Sequence, residues 1–201
     1  MIETIIQQYK SIPNWQIGIE IIVFIFGILS VYFAKKENIL VYPTGLIATI
    51  LSVYIMFNAK YYADMSINIY YSIMSVYGWF QWKKVINGKT LTISKTKKKE
   101  KNLGILLFLL TGIICALIYK FFEYKLQLNN YLDIFTTSLF FTAMWYMAQK
   151  KIENWILWII GDAICVYMFF DRQLYIIAIQ YIIFTILAVS AFIEWKRYLA
   201  K

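Results

Sequence analysis

Two carboxylate side chains lie inside long apolar stretches of this sequence, and they are the residues best placed to do chemistry. Asp162 follows Gly161 in the stretch 155–170, and Glu20 lies in the stretch 15–33. Charged side chains are costly to bury in a membrane, so each marks a candidate functional site. At a helical rise of about 1.5 Å per residue, Asp162 is about 10 Å deep and Glu20 about 7 to 8 Å deep. Glu20 is equally well explained as a carboxylate that reaches the interface, whereas Asp162 is too deep for that.

Two tryptophans precede Asp162 at helical spacing. Trp155 and Trp158 are three residues apart, and Asp162 follows Trp158 by four, so a helix places all three on one face. Two indole faces and a carboxylate are suited to a flat cation, through stacking, cation–π attraction and charge. A packing stripe with one interfacial anchor is the alternative explanation.

The composition excludes most enzyme classes. Hydrophobic residues make up 61% of the 201 residues and charged residues 15%, whereas a soluble domain carries about 25% charged residues. The absence of histidine removes Ser-His and Cys-His catalysis, haem ligation and His-based zinc sites. Cys115 and Cys165 both lie in apolar stretches, where a free cysteine behaves as a small hydrophobic residue. We therefore expect no enzyme, no cofactor and no disulfide framework.

Seven apolar stretches are long enough, or nearly long enough, to cross a membrane as helices. They are 15–33, 39–57, 65–82, 103–121, 134–148, 155–170 and 174–192. Because positively charged loops stay in the cytoplasm, the lysines and arginines set the orientation. One side carries 15 of them and the other 5. This predicts a multi-pass membrane protein with its N-terminus outside and its C-terminus in the cytoplasm.

A lysine-rich stretch between residues 83 and 101 contains eight of these positive charges. A basic run of this kind could bind nucleic acid or anionic lipid. More often it is a solvated cytoplasmic loop that fixes the topology, and we adopt that interpretation here. We expect no nucleic-acid partner.

The sequence contains an internal repeat. The segment beginning at Ala34 recurs around Gln149 with an offset of 116, and the Gln-Trp-Lys-Lys segment ending at Lys84 recurs at the C-terminus with an offset of 113. This predicts two parallel three-helix repeats, 14–86 and 132–197, with a lysine-rich linker at 87–102 and a connecting fourth helix at 103–122. Parallel repeats occur in transporters whose substrate site lies near the membrane midplane.

The repeat draws attention to Asn68 and Gln180, because the offset of 113 places them one residue apart in equivalent third helices. Such near-symmetry is what a site between the two repeats would show. Tyr and Trp near helix ends are mostly interfacial anchors, and Thr and Ser in helices are mostly hydrogen-bonded between helices. The complete set of candidate substrate-binding residues is Asp162, Trp158, Trp155, Asn68, Gln180, Tyr71, Thr137, Glu20 and Trp145.

Several strings resemble the PnuC family of bacterial vitamin transporters, over nearly the whole chain from Trp15 to Lys201. These are Lys-Glu-Asn-Ile39, Pro43-Thr-Gly45, Tyr77-Gly-Trp-Phe-Gln-Trp82, Glu153-Asn-Trp-Ile-Leu-Trp158 and Phe192-Ile-Glu-Trp195. The resemblance implies a seven-helix protein of 3+1+3 design, related in architecture to the SWEET sugar transporters and assembled as a homotrimer. It also implies facilitated diffusion of nicotinamide riboside, trapped by a cytoplasmic kinase.

The sequence departs from this family at two positions. Many members carry an amide where this chain has Ala48 and a glutamine where it has Met144. Both changes remove hydrogen-bonding capacity, so thiamine, which close relatives carry, is an alternative substrate. The stripe of Trp155, Trp158 and Asp162 suits either vitamin, because both contain a cationic aromatic ring.

Three other function classes were considered. A retinal-binding protein needs a Schiff-base lysine in its last helix, and the stretch 174–192 has none. A membrane enzyme would need an acid–base pair, which only Glu20 and Asp162 could supply. A structural membrane scaffold would bind no vitamin and show no ligand-dependent stabilisation. The sequence therefore favours an all-α polytopic membrane protein that transports a cationic vitamin.

Overall fold

The computed structural model describes residues 13–58, 62–86, 88–121 and 127–200. These residues form seven α-helices and one short hairpin. The helices are α1 (Asn14–Lys35), α2 (Val41–Asn58), α3 (Tyr62–Lys83), α4 (Lys98–Phe121), α5 (Leu128–Ala148), α6 (Glu153–Asp171) and α7 (Tyr175–Leu199). The hairpin pairs β1 (Val85–Ile86) with β2 (Lys89–Thr90) in antiparallel fashion.

Each predicted apolar stretch falls on one of the seven helices, so the all-α membrane fold is confirmed. The helices α1, α2, α4, α6 and α7 are long and apolar enough to cross a membrane by length and composition. Three helices run more than three residues past their predicted ends: α4 begins at Lys98, α5 at Leu128, and α7 ends at Leu199. An apolar stretch in the sequence marks only the part of a helix that contacts lipid. The polar ends of the helix extend beyond this part.

Helix α5 buries more of its residues than any other described helix. Its buried residues include Thr136, Thr137, Ser138 and Thr142. Three of these hydroxyls bond within their own helix: Thr136 and Ser138 donate to carbonyl oxygens four residues back at 2.9 and 2.7 Å, and Thr142 does so at 3.0 Å. These hydroxyl groups are therefore hydrogen-bonded mainly within their own helix. The sequence had predicted hydrogen bonds between helices.

Three helices end in the same local structure. Glu37, Lys150 and Gln173 follow α1, α5 and α6 with φ angles of 55°, 51° and 59°. The backbone N–H after each of them donates to a carbonyl oxygen in the last helical turn, at 2.9 Å in all three. This is the Schellman ending, which satisfies carbonyl groups that the helix leaves open. Each ending turns the chain directly into the next helix.

The chain divides into two compact units, and the first comprises Met1–Leu91. In this unit α2 packs against both α1 and α3. The ring of Tyr42 lies edge-on to Trp82, with centroids 5.1 Å apart, and over the backbone of Gly78. The hydroxyl of Ser30 donates to the Val41 carbonyl oxygen at 2.8 Å, which ties α1 to the start of α2.

The second unit comprises Thr92–Lys201 and contains α4 as well as α5, α6 and α7. The fourth helix, expected to be a lone connector, packs along α5. The Tyr146 hydroxyl donates to the Glu100 carbonyl oxygen at 3.3 Å, and the rings of Phe108 and Phe135 meet edge-on with centroids 5.6 Å apart. The connector is therefore part of the second unit.

The two units repeat the same internal packing at a single offset. Trp155 and Trp195 meet edge-on with centroids 5.4 Å apart, 113 residues after Tyr42 and Trp82 respectively. Glu37 and Lys150, the left-handed residues at the first helix end of each unit, are also 113 apart. The offset of 116 inferred from the Lys-Lys strings is therefore wrong for the structure, because the helix ends and the aromatic pairs of the two units correspond at an offset of 113.

The end of the lysine-rich linker is attached to the junction between α5 and α6. Ser94 exchanges two backbone hydrogen bonds with Lys150 and Ile152, both at 3.0 Å. The backbone N–H and the hydroxyl of Thr96 donate to the Glu153 carboxylate at 3.0 and 2.9 Å. We call residues 94–101 the linker strap. Its backbone is held on protein by these hydrogen bonds, and its lysine side chains are exposed.

Candidate substrate site

Asp162 is the central residue of α6, with nine helical residues on either side of it. Its side chain is only 3% exposed. No group in the described part of the chain donates a hydrogen bond to its carboxylate. A buried carboxylate in this state is costly unless a cation or a donor compensates it. This makes Asp162 the strongest candidate for a group that meets the substrate.

The Cys165 thiol lies beside Asp162, one helical turn further along α6. It interacts with the Thr136 side chain from α5 and with the Tyr181 side chain from α7. Tyr181 in turn stacks on Phe169, with centroids 5.2 Å apart and ring planes 11° from parallel. The surroundings of Asp162 are therefore built by three helices of the second unit and combine small polar groups with aromatic rings.

On the other side of Asp162, α6 approaches α5 closely. A Cβ atom on Gly161 would overlap the ring of Phe140. The same ring stacks on Trp158, with centroids 5.0 Å apart and planes 24° from parallel. The absence of a side chain at Gly161 thus leaves room for the ring of Phe140, which stacks on Trp158 one helical turn before Asp162.

Trp155 has a different environment from Trp158. It is 1% exposed and packs edge-on against Trp195 of α7. Its indole N–H is buried without a hydrogen-bond acceptor among the described residues. Trp155, Trp158 and Asp162 thus lie on one helix, as predicted. The two indole rings, however, pack on different residues. Trp158 lies nearer to Asp162 along the chain and packs beside Gly161, so it is the better placed of the two.

The remaining predicted residues of the second unit are spread over α5 and α7. Thr137 is buried in α5. The Trp145 ring lies 5.3 Å from that of Tyr146, centroid to centroid, near the end of the same helix. Gln180 is half-buried in α7. Their part in a substrate site stays a prediction.

Three predicted residues belong to the first unit. Glu20 accepts a hydrogen bond from the Gln16 side chain at 3.1 Å, four residues earlier in α1. The Asn68 carbonyl oxygen accepts from the Ser72 hydroxyl at 2.9 Å, and the same hydroxyl donates to Thr49 Oγ1 at 2.8 Å. The Tyr71 ring lies 5.8 Å from that of Tyr70. The predicted pairing of Asn68 with Gln180 across the repeats stays a prediction.

Two residues beside Asp162 were not identified from the sequence. Cys165 was interpreted as a small hydrophobic residue, although its spacing of three from Asp162 places it on the same helix face. Phe140 lies in an apolar stretch, where nothing distinguishes it from any other core phenylalanine.

The described residues contain no group of three or more Cys, Asp or Glu side chains that could hold a metal ion. What the arrangement offers is a buried carboxyl group on a helix that also carries the stacked ring of Trp158, which suits a flat cation.

The seven described helices, five of them long and apolar enough to cross a membrane, indicate a polytopic membrane protein, and the buried Asp162 carboxyl group is its candidate solute site. A family model described as nicotinamide mononucleotide transporter matches residues 17–197. The chain belongs to this family of membrane transporters, and the resemblance to PnuC proteins is confirmed.

The relatives agree with this assignment. The chain is 25% identical to the nicotinamide riboside transporter PnuC of Escherichia coli, with 88% of this chain and 84% of that protein aligned. The same protein from Shigella flexneri gives the same values. A crystal structure of the vitamin B3 transporter PnuC superposes with a TM-score of 0.69 at 20% identity, covering 98% of this chain and 86% of that one. The fold is therefore that of a PnuC transporter.

Proposed function

We propose that this protein carries nicotinamide riboside across the membrane by facilitated diffusion. The observation that supports the proposal best is the buried Asp162 carboxylate beside the stacked rings of Phe140 and Trp158. The pyridinium ring of nicotinamide riboside is flat and permanently cationic, so it complements both the charge and the aromatic faces. Relatives named as nicotinamide riboside transporters support the same substrate. We expect the substrate to cross without chemical change.

Transport is proposed to be uncoupled from ion gradients. Proton-coupled carriers usually contain a chain of ionisable groups across the membrane. In this chain the predicted spans offer only Glu20 and Asp162 as deeply placed carboxylates, and there is no histidine. Phosphorylation of the product by a cytoplasmic kinase would then retain the vitamin in the cell.

A binding experiment on the purified protein tests the substrate. Isothermal titration is carried out with nicotinamide riboside and with its dihydro form, which has nearly the same shape but no ring charge. The proposal predicts that the cation binds and that the uncharged analogue binds at least about tenfold more weakly. Equal affinities for the two forms would contradict a site built on charge. Thiamine serves as the second cationic vitamin, because the apolar Ala48 and Met144 leave that substrate open.

A transport experiment tests the mechanism. Proteoliposomes that contain the protein but no kinase are loaded by external nicotinamide riboside. The proposal predicts equilibration to the external concentration, followed by accumulation only when the kinase and ATP are enclosed. Accumulation driven by an imposed proton or sodium gradient, without kinase, would overturn uncoupled transport.

The orientation is proposed to place the N-terminus outside and the C-terminus in the cytoplasm of a bacterial inner membrane. The distribution of lysine and arginine, 15 on one side and 5 on the other, supports it. A fluorescent protein fused after Lys201 is expected to fluoresce, and a periplasmic phosphatase at the same point to be inactive. The reverse pattern would refute the orientation.

We also propose a homotrimer, as the resemblance implies. The described surface of α4 is apolar over much of its circumference, with exposed side chains that include Ile105, Leu109 and Ile113. Such a surface faces lipid or another copy of the chain. Native mass spectrometry of the detergent-solubilised protein is expected to give three copies per particle, and a purely monomeric particle would contradict the proposal.

A further inference from the structure

The linker strap presents its side chains alternately inwards and outwards. Ser94 Oγ accepts a hydrogen bond from the Lys151 ammonium at 3.1 Å, and Thr96 donates to the Glu153 carboxylate. Glu100 forms an ion pair with Lys151 at 2.7 Å, in which the Lys151 side chain is 8% exposed and that of Glu100 28%. These contacts fix the strap to the second unit at three points.

The residues between and after these contacts are lysines. Lys95, Lys97, Lys98, Lys99 and Lys101 are all exposed. Glu100 is the sole acidic residue in the sequence 83–101, and its carboxylate is already bound to Lys151. The strap therefore holds five positive charges on a fixed backbone, with no acidic neighbour in that sequence free to neutralise them.

The position of the strap along α4 indicates which partner these charges meet. Lys98 begins a helix that is long and apolar enough to cross a membrane. The exposed apolar side chains of Leu103, Ile105 and Leu106 follow directly after Lys101. Helix residues one turn before lipid-facing side chains lie at the level of the lipid headgroups. The exposed lysines are therefore at the depth of the lipid phosphates.

We propose that the linker strap is a binding site for the phosphate groups of anionic lipid, of which phosphatidylglycerol is the test case. Lysines near a membrane surface attract anionic lipid individually, and a fixed cluster adds their contributions. The Lys97 N–H donates to the Glu100 carboxylate at 2.6 Å, so the helix start is capped from within the strap, and the lysine side chains of the strap are exposed.

The test compares two variants that lose the same charge. Lys97→Gln/Lys98→Gln/Lys101→Gln removes three positive charges from the strap. Lys84→Gln/Lys196→Gln/Arg197→Gln removes three exposed charges elsewhere on the chain. Native mass spectrometry counts dioleoylphosphatidylglycerol molecules retained by the full chain, with dioleoylphosphatidylcholine as the neutral lipid. We expect the strap variant to bind phosphatidylglycerol about 10- to 100-fold more weakly and the control less than about threefold more weakly.

Several outcomes would overturn the proposal. Equal losses in both variants would show a diffuse effect of net charge, and no loss in either would show that the strap does not bind lipid. Displacement of the lipid by millimolar inorganic phosphate would identify a site for a soluble anion, and tighter binding of an RNA oligonucleotide than of lipid would identify a nucleic-acid surface. Lys97→Arg/Lys98→Arg/Lys101→Arg keeps the charge and must keep the lipid. If the glutamine variant fails to fold, the thermal stabilisation by phosphatidylglycerol is measured in the arginine variant and in the native protein. Loss of this stabilisation in the arginine variant contradicts the proposal.

Discussion

Gly161 lies so close to Phe140 that a single methyl group on the glycine would overlap the phenylalanine ring. The contact joins α6 to α5 immediately before Asp162 and beneath the stacked Phe140–Trp158 pair. Residue 161 therefore controls how closely two helices approach at the candidate site.

Gly161→Ala is expected to lower the stability of the protein by about 1–3 kcal/mol, because the added Cβ forces the ring of Phe140 to move. Thermal unfolding in detergent, followed by tryptophan fluorescence, measures the change. Gly18→Ala is the matched control, since a Cβ there meets nothing within 4 Å. That change is expected to stabilise α1 slightly, by about 0.5–1 kcal/mol.

A second substitution tests the cause of this loss. Phe140→Leu makes room above residue 161, so Gly161→Ala should cost less in the Phe140→Leu background than in the native protein. Additive losses would show that the contact with Phe140 is not responsible.

Asp162→Asn is expected to weaken the binding of nicotinamide riboside by about 2 kcal/mol or more, the scale found when one partner of a buried charge pair is removed. Trp158→Phe keeps an aromatic face and is expected to cost less. Isothermal titration on folded protein measures both. Asp171→Asn, at the exposed end of the same helix, is the control and should leave affinity unchanged. If Asp162→Asn lowers thermal stability but leaves the dissociation constant unchanged, the carboxylate has a structural role instead.

Tyr42→Phe and Tyr146→Phe should differ although the two tyrosines pack alike. Both rings lie over a glycine of a neighbouring helix, Gly78 and Gly104 respectively. The Tyr42 hydroxyl is buried without a hydrogen-bond partner among the described residues, whereas that of Tyr146 donates to the Glu100 carbonyl oxygen. We expect Tyr42→Phe to leave the melting temperature unchanged or raised, and Tyr146→Phe to cost about 1 kcal/mol. Equal losses would show that ring packing rather than the hydroxyl decides the effect.

Glu100→Gln should destabilise the protein by about 1–3 kcal/mol, because it leaves the buried Lys151 ammonium without its counter-charge. Lys151→Met should cost less, since Glu100 is partly exposed and water can solvate it. Urea-dependent or thermal unfolding of the two single variants and the double variant completes the cycle. A coupling energy near zero would mean that the ion pair adds nothing to the attachment of the strap.

The sequence was sufficient to predict the seven helices and their order, because a helix that crosses a membrane needs a long apolar stretch in contact with lipid. It located their ends less well. The first turn of α4 is made of lysines and glutamate, and its helical state follows from the cap between Lys97 and Glu100 and from the pairing of Glu100 with Lys151. Hydropathy carries no information about either contact.

The candidate site was predictable in its charge but not in its packing. Asp162 stands out in the sequence because carboxylates are rare in membrane helices. The separation of Trp155 from Trp158 was not predictable, since spacing places both on one face while the partner rings, Trp195 and Phe140, come from other helices. The repeat was inferred from two pairs of strings with offsets of 116 and 113, and the offset of 113 at the first helix junction required the paired contacts of Tyr42 and Trp155.

The packing inside the first unit has a consequence for biosynthesis. Its packing joins helices that are consecutive in the chain, and its aromatic pair, Tyr42 and Trp82, is complete before residue 91. At translation rates of about 5–20 residues per second, the rest of the chain takes roughly 5–20 s to emerge. Adjacent helices pack far faster than that. We therefore expect the first unit to pack in the membrane before the second is complete, so that two halves with the same internal design do not exchange helices.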